Sequence, residues 1–216
     1  MKIRWNGHSS FTITTANGTV IVLDPYEPGA FGGGIAYRPI DVKPDIVVIS
    51  HDHADHNYTA GFKKPFIEVR QNADVNGIVF RALETFHDEV QGAKRGRNLI
   101  FIIKTDGMIL CHLGDLGHKL SDAQLKEIGK VDVLMGPIGG FYTIDARTAA
   151  EVVSRINPRI FIPMHFKTDK CKFPISPVAD FLAGKSNVKQ LAADELEMTA
   201  DKLPHVGEII VLRHHY

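Results

Sequence analysis

The sequence predicts an α+β domain in which two mixed β-sheets pack face to face, with helices on the outside. Three observations lead to this fold class. Short strand-like segments fill the first half of the chain, strands alternate with helices from about residue 121 onward, and no linker or repeat divides the 216 residues. Apolar residues make up 44% of the chain, which suffices for one continuous hydrophobic core. We therefore expect a single domain over residues 1–216.

The first half contains eight predicted strands, rich in β-branched and aromatic residues and separated by turn signals. They are KIRWNG, SFTITT, TVIVLD, DIVVIS, PFIEV (65–69), IVFRALETF (78–86), LIFIIKT (99–105) and MILCHLG (108–114). The sequence ANG at 16–18 and the pair Asp106-Gly107 predict tight turns between neighbouring strands.

Residues 25–42 interrupt these strands with a long segment rich in glycine and proline. A segment of this length without periodicity is usually functional inside a compact domain. We expect it to border the substrate pocket and to move, with Tyr26, Phe31 and Tyr37 as apolar contacts.

The second half combines three predicted helices with three strands. Ser121 and the serine and proline at 176–177 mark two helix starts, at 121–129 and 176–184. A third helix over 145–157 is amphipathic and ends just before Pro158. The strands are VDVLMGP, RIFIPMH and EIIVLRH.

Charge and composition argue against several classes of protein. Lys+Arg and Asp+Glu are equal at 25 each, so the chain lacks the basic excess typical of nucleic-acid binders. No apolar run approaches the roughly 18 residues of a membrane span, and the amino terminus lacks the apolar core of an export signal. Two cysteines are too few for a disulfide framework. We expect a cytoplasmic protein.

The stretch ISHDHADHN at 49–57 places three histidines and an aspartate in the order H-x-H-x-D-H. His51 and His53 are two residues apart, so an extended backbone directs both rings to the same side. Asp55 and His56 follow where the chain begins to turn, and can face a second ion beside the first. This spacing predicts a metal site.

Four predicted strands end in a residue type that binds metals. These residues are His51, His87, Asp115 and His165. If the strand ends share one edge of the fold, their side chains converge, as bonds of about 2.0–2.2 Å to zinc require.

The HDHADH stretch, the GD of HLGDLG at 114–115 and the histidine of IPMHF resemble motifs of the metallo-β-lactamase superfamily. The stretches WNGHSSF, LDP and PIGG narrow the resemblance to compact metal-dependent hydrolases related to ascorbate-6-phosphate lactonase and N-acylphosphatidylethanolamine phospholipase D. It covers about residues 3 to 166. It implies a four-layer αββα sandwich with a two-metal site at one edge.

The resemblance also implies a ligand set. His51, His53 and His87 would hold the first metal, Asp55, His56 and His165 the second, and Asp115 would bridge both. Zinc is the expected metal, with Mn, Ni and Fe as alternatives.

His87 has two competitors for the third ligand of the first metal. His87 ends a β-rich run and precedes a polar turn, whereas His112 lies inside its strand and His118 lies in a loop. The order of motifs in the superfamily also favours His87. His112 is either an interior histidine or a residue that orients a ligand.

The expected activity is hydrolysis of a small ester, lactone or phosphodiester by a hydroxide that bridges the two metals. Asp55 and His8 are the predicted catalytic residues: Asp55 orients the hydroxide, and His8, like Asp24, orients a ligand. Alternatives are a phosphodiesterase or nuclease, an iron-binding redox protein on the same scaffold, and a metal-binding regulatory protein. The expected partner is a small-molecule substrate, and the oligomeric state stays open.

Several other residues receive weaker assignments. His214 and His215 are expected to be solvated and Cys111 to lie in the core. Gly139 and Gly140 either let the backbone approach a ligand or form a plain turn.

Overall fold

The computed structural model describes residues 1–216 and contains two mixed β-sheets, as the sequence predicts. The first sheet has six strands in the spatial order β13-β1-β2-β3-β4-β5. Its strands are β1 (Lys2–Gly7), β2 (Ser10–Thr14), β3 (Val20–Leu23), β4 (Ile46–Val48), β5 (Ile67–Val69) and β13 (Glu195–Glu197). The strands from β13 to β3 pair antiparallel, whereas β3, β4 and β5 run parallel.

The second sheet has eight strands in the order β12-β14-β11-β10-β9-β8-β7-β6. They are β6 (Ala73–Val75), β7 (Ile78–Phe86), β8 (Arg97–Thr105), β9 (Met108–His112), β10 (Val133–Pro137), β11 (Ile160–Met164), β12 (Val188–Gln190) and β14 (Glu208–Val211). Strands β6 to β9 form an antiparallel meander. The neighbouring pairs β9–β10, β10–β11, β11–β14 and β14–β12 are parallel. Consequently β7, β9 and β11 all point the same way, and their carboxyl ends lie at one edge.

The three predicted helices are present as α2 (Asp122–Ile128), α3 (Ala146–Ile156) and α4 (Val178–Leu182), and α1 (Ala30–Gly33) is a single irregular turn. Ser121 and Gln124 form the reciprocal hydrogen bonds of a capping box on α2, which explains why that helix begins there. Helix α4 is shorter than the 176–184 predicted, and Pro177 stands at its cap position. No helix in the structure has the length and apolar character needed to cross a bilayer.

Sequence reading missed three short strands, β6, β12 and β13. Each has three residues, and β12 and β13 are largely polar, so neither hydrophobic periodicity nor β-propensity distinguishes them from loop. Pairing with a neighbouring strand places them in the sheets.

The main core lies between the two sheets and contains 45 buried apolar residues. Alternate residues of β3 and β4 face it, including Ile21 and Val48, while Val22 and Val47 face the other side of the first sheet. That outer side carries a second core of 12 residues, among them Tyr26 and Tyr37 from the 25–42 segment. The outer layer on this sheet is therefore formed mainly by loop segments, whereas α2 and α3 contact the second sheet.

Candidate metal centre

The four strand ends that carry potential metal ligands converge. His51 follows β4 in the first sheet, while His87, Asp115 and His165 follow β7, β9 and β11 in the second. Ligand atoms from these residues lie within 4.8 Å of one another in overlapping groups. The predicted convergence is confirmed, because the parallel orientation of β7, β9 and β11 brings their ends together beside the end of β4.

The first group consists of His51, His53 and His87. His51 Nε2 and His53 Nδ1 are 3.0 Å apart, and the rings of His53 and His87 lie 5.2 Å apart between centroids. Two ligands of one tetrahedral ion with bonds of about 2.1 Å lie about 3.4 Å apart. The separation of the two nitrogens is close to that value. These are the three residues that the sequence predicts for the first metal.

The second group consists of His8, Asp55, His56 and His165. It contains the three residues predicted for the second metal and adds His8, whose Nε2 donates to Asp55 Oδ2 at 3.0 Å. The His8 and His165 rings are only 4.2 Å apart between centroids. His8 thus lies inside the cluster rather than behind it, nearer than the sequence indicates.

Asp115 lies between the two groups. Its Oδ2 is 3.1 Å from His87 Nε2, 3.1 Å from His56 Nε2 and 3.3 Å from His165 Nε2. The other carboxylate oxygen accepts a hydrogen bond from Ser9 Oγ at 3.3 Å. One carboxylate oxygen therefore faces rings from both groups.

Asp24, which is fully buried, lies between His56 and His112 and organises that side of the cluster. Its two oxygens accept hydrogen bonds from the Ser50 backbone N–H and Oγ, both at 2.7 Å, and from two histidine rings. His56 Nδ1 donates at 3.0 Å and His112 Nε2 at 2.9 Å. His56 Nε2 is thereby directed towards Asp115. This arrangement decides the open question about His112, which binds Asp24 and supports His56 through it.

Ser50 performs the same role for His51. Because Ser50 Oγ donates to Asp24, it accepts from His51 Nδ1, at 2.9 Å. The Nε2 lone pair of His51 then faces the cluster. A hydrogen bond of this kind sets the tautomer and the ring orientation of a metal-binding histidine.

Comparison with known proteins decides the family. A profile described as "Beta-lactamase superfamily domain" matches residues 2–165. The chain belongs to the metallo-β-lactamase superfamily. It is similar to the UPF0173 metal-dependent hydrolase of Anaeromyxobacter sp. (strain K), with 30% identity over 207 residues that cover 77% of this chain and 75% of the relative. It is also similar to the UPF0173 protein of Pyrococcus furiosus, with 33% identity over 193 residues that cover 78% of this chain and 84% of the relative.

A solved structure supports the same assignment. It is a candidate Zn-dependent hydrolase of the metallo-β-lactamase superfamily from Thermotoga maritima, with 36% identity and a TM-score of 0.81. The alignment covers 98% of this chain and 97% of that chain. The chain is therefore a metal-dependent hydrolase with a His/Asp cluster that fits a metal site.

The charges within the hydrolase's cluster favour a bound cation. Asp24, Asp55 and Asp115 are all buried, and no lysine or arginine pairs with them. Burial alone would raise the pKa of each carboxyl, but the neighbouring histidines hold each pKa well below its usual range. Three buried carboxylates whose partners are histidines, without lysine or arginine, are costly unless positive charge is supplied locally.

The histidines respond to the same surroundings in two ways. Burial, together with neighbouring rings, lowers the pKa of His51 to about 3 and that of His8 to about 4, so both are neutral near pH 7. Burial also lowers the pKa of His53. Burial also lowers the pKa of His56, but the nearby carboxylates of Asp115 and Asp55 outweigh that effect and raise the pKa well above its ordinary value. A divalent cation would take over the charge that His56 otherwise carries.

One unpartnered ring nitrogen lies at the place where an ion would fit. Among the buried ring nitrogens without a hydrogen-bond partner is His56 Nε2, which faces Asp115. Neutral imidazole nitrogens and carboxylate oxygens are the donors that zinc and related divalent metals prefer. The residues present therefore fit a divalent metal ion.

Backbone strain concentrates at the same place. His8, Asp24 and His165 all have positive φ, at 53°, 41° and 49°, in a region that side chains other than glycine rarely occupy. Such conformations persist where the surrounding structure enforces them, often at active sites. Here the strain lies on residues whose side chains meet in the cluster.

Two glycines allow the backbone to approach the ligands. A Cβ at Gly139 would clash with the main-chain oxygen of His165, and one at Gly117 would clash with the main chain of His87. The missing side chain at Gly139 thus lets the main chain pack against that of His165, and the approach of Gly139 to a bound ligand stays a prediction. Gly140, with φ of 66°, forms a turn.

Ser9, Ser50 and Asn98 contact the cluster but are not among the predicted site residues. Asn98 Oδ1 accepts from the Asp115 backbone N–H at 2.9 Å, while its amide donates to Thr85 Oγ1 and to the Leu113 carbonyl. It therefore fixes the backbone of Asp115 from the neighbouring strand. The only signal in the sequence is that Asn98 directly precedes the apolar run LIFII, and the strand predicted at 99–105 begins just after it.

The prediction that all three aromatic residues of the 25–42 segment contact the substrate is corrected by their burial. Tyr26 and Tyr37 are 1% and 2% exposed and belong to the second core, so they are not available as substrate contacts. Tyr37 packs against Gly7 and hydrogen-bonds Thr168. Only Phe31 is exposed, at 58%.

The weaker assignments have mixed outcomes. Cys111 is buried in the core, as predicted. His118 accepts from the Phe86 backbone N–H and donates to the Lys119 carbonyl, outside the cluster. His214 and His215 were expected to be solvated, but His214 binds Asp169 and the Tyr216 carbonyl, and His215 binds Asp194. Both side chains remain partly exposed, at 23% and 34%, so the terminal histidines are solvated only in part.

Proposed function

We propose that the hydrolase uses two divalent metal ions, preferably zinc, to hydrolyse a small ester, lactone or phosphodiester. One observation carries the two-ion proposal: a single oxygen of Asp115 lies 3.1–3.3 Å from ring nitrogens of His87, His56 and His165, which belong to both ligand groups. A shared carboxylate would offset part of the repulsion between two neighbouring cations. Manganese, nickel and iron suit the same donors.

In this proposal His51, His53 and His87 would hold the first ion. Asp55, His56 and His165 would hold the second, and Asp115 would contact both. When bound, two such ions lower the pKa of a shared water towards about 7 and polarise the oxygen of the substrate.

The chain's own residues position the reaction and move its proton. Asp55, which is buried and ionised, would orient the attacking water and take up its proton. His8 donates to Asp55 Oδ2 and acts through that carboxylate, so it is a positioning residue. The water oxygen bonds to the acyl carbon or phosphorus, the bond to the leaving oxygen breaks, and the proton passes to the leaving oxygen.

A preference for phosphodiesters over the other two substrate classes is the second candidate, and it rests on Arg95 in the cavity beside the cluster. Arg70, Arg95 and Arg97 line an open cavity of about 700 Å³ together with His51 and His53. Arg70 and Arg97 pair with carboxylates, so the charge of Arg95 is the one left unbalanced. Cationic side chains near a metal centre favour a substrate that carries negative charge.

A hydrolysis screen with defined metal loading tests both candidates. We expect turnover of 4-nitrophenyl acetate, a simple γ-lactone or bis(4-nitrophenyl) phosphate by protein loaded with zinc, and loss of that turnover in Asp115→Ala. Absence of hydrolysis in all three classes, with metal content verified, would contradict the proposal. A visible absorption band of an iron-loaded protein that responds to reduction would instead favour the redox alternative.

A further inference from the structure

The cavity beside His51 and His53 contains five charged side chains besides the histidines, and one of them differs from the rest. Arg70 pairs with Asp52 and with Glu68, and Arg97 pairs with Glu84 at 3.3 Å. Arg95 has no carboxylate partner. The charges of the other arginines are thus balanced, while that of Arg95 is available to a ligand.

The loop that carries Arg95 is held rigidly. The Asp88 carboxylate, next in sequence to His87, accepts four backbone N–H hydrogen bonds at 2.8–2.9 Å, from residues 90, 92, 94 and 95. The His87 backbone N–H also donates to the Gly96 carbonyl at 3.1 Å. The backbone of Arg95 is therefore tied directly to the strand end that presents His87.

The guanidinium of Arg95 is also positioned. Its Nη2 donates to the Phe141 carbonyl at 3.1 Å, and its Cζ lies 5.5 Å from the centre of the Tyr142 ring. Phe141 has a φ of 61°, which is unusual for a bulky residue and persists only where the surroundings enforce it. Of the five N–H donors of a guanidinium, one is used here, and the others remain for a ligand.

We propose that Arg95, which lines both the cavity at His51 and His53 and the neighbouring cavity at Phe141 and Tyr142, binds an anionic substituent of the substrate, a carboxylate or a phosphate. The inference rests on the proposed function, since it assigns the substrate's distal end while the metal centre acts on the scissile bond. A planar guanidinium with free donors matches a carboxylate or phosphate in a bidentate arrangement. The substrate class is therefore a small ester, lactone or phosphodiester that carries an additional negative charge.

Binding measurements test the site without turnover. Succinate, 3-phosphonopropionate and butyrate share one carboxylate that can reach the metals, but only the first two carry a second anionic group. By calorimetry, the metal-replete protein should bind the two dianionic probes about 10- to 100-fold more tightly than butyrate, as expected for a hydrogen-bonded ion pair. A stronger preference for one of the two identifies the group as carboxylate or phosphate.

The variants separate Arg95 from the general field of the cavity. Arg95→Gln should abolish the preference, Arg95→Lys should keep part of it, and Arg97→Gln, the matched control for charge, should keep it. Metal content and thermal unfolding check that the Arg95 variants remain folded. A preference that persists in Arg95→Gln, or that is absent from the wild type, would overturn the proposal.

Kinetics provide the second readout. In Arg95→Gln, the ratio of kcat/KM for the 4-nitrophenyl monoester of succinate to that for 4-nitrophenyl butyrate should fall about 10- to 100-fold. An equal loss for both esters would show that Arg95 shapes the site without binding the anion. If neither ester is hydrolysed while calorimetry shows the preference, ester hydrolysis fails as the function and the anion site stands.

Discussion

Alanine substitutions at His87 and His112 should have opposite effects on metal content. Both side chains are buried, at 3% and 0% exposure, and each approaches one carboxylate. His87 Nε2 lies 3.1 Å from Asp115, within the candidate first site, whereas His112 Nε2 lies 2.9 Å from Asp24 behind it. We expect His87→Ala to lose one metal ion and His112→Ala to retain both.

The structure sets the size of each effect. His87→Ala reduces a three-nitrogen site to two nitrogens, so the affinity for the first ion should fall by more than the roughly 10- to 100-fold typical of an outer hydrogen-bond partner. In His112→Ala, Asp24 keeps three of its four donors: the Ser50 backbone N–H, Ser50 Oγ and His56 Nδ1. Its metal affinity should fall at most within that range. The lost charge-assisted hydrogen bond should lower the free energy of unfolding by about 1.5–3 kcal/mol.

Titration of Zn²⁺ against a chromophoric chelator, with elemental analysis of the dialysed protein, measures both variants. Thermal unfolding of the same samples separates lost metal from lost fold. Full occupancy in His87→Ala together with loss of an ion in His112→Ala would refute the assignment and make His112 the ligand.

Four further predictions rest on the same structure. Metal-replete wild-type protein should contain close to two ions per chain by elemental analysis. The rate of hydrolysis should fall further in Asp115→Ala than the roughly 10- to 100-fold expected for His8→Ala. Equal, modest losses of rate in the two variants would argue against a bridging Asp115. Gly117→Ala should weaken the first metal site in a titration, because the added methyl group would displace the main chain of His87, and an unaltered affinity would show that the chain adjusts there. Asp145→Ala should lower the free energy of unfolding by about 1 kcal/mol near neutral pH, because Asp145 caps helix α3. The hydrogen bond from the Thr148 backbone N–H lowers the pKa of Asp145. The stabilisation is therefore fully present above the ordinary aspartate pKa of about 3.9, and the difference in unfolding free energy between wild type and variant should narrow as the pH falls below it. A difference that does not depend on pH between 7 and 3 would contradict this.

The candidate ligands could be predicted from the sequence alone, whereas most of the residues that hydrogen-bond and orient them could not. His51, His53, Asp55 and His56 form a local pattern, and the other candidate ligands follow predicted strands, so their convergence could be inferred from chain order. The small polar strands β12 and β13 could not, because a neighbour's hydrogen bonds hold them in place.

The supports of the cluster depend on distant contacts. Asp24 meets His112 across 88 positions in the sequence, and Asn98 holds Asp115 across 17. Neither pair produces a periodic or local signal. The sequence could name His112 only as one of two alternatives, and folding decided between them by placing its ring beside Asp24.

The residue types and spacing in the sequence determined which donor groups meet at the candidate centre, because only particular side chains carry imidazole and carboxylate groups. Tertiary structure alone decided which polar residues orient those ligands and which charges remain unpaired. Arg95 illustrates the difference: among 25 basic residues nothing local distinguishes it. Arg95 contacts Phe141 and Tyr142, and lacks a carboxylate partner, only once the loop after β7 packs against the segment after β10. The reason is that the partners of a charged side chain are set by distances in space rather than along the chain.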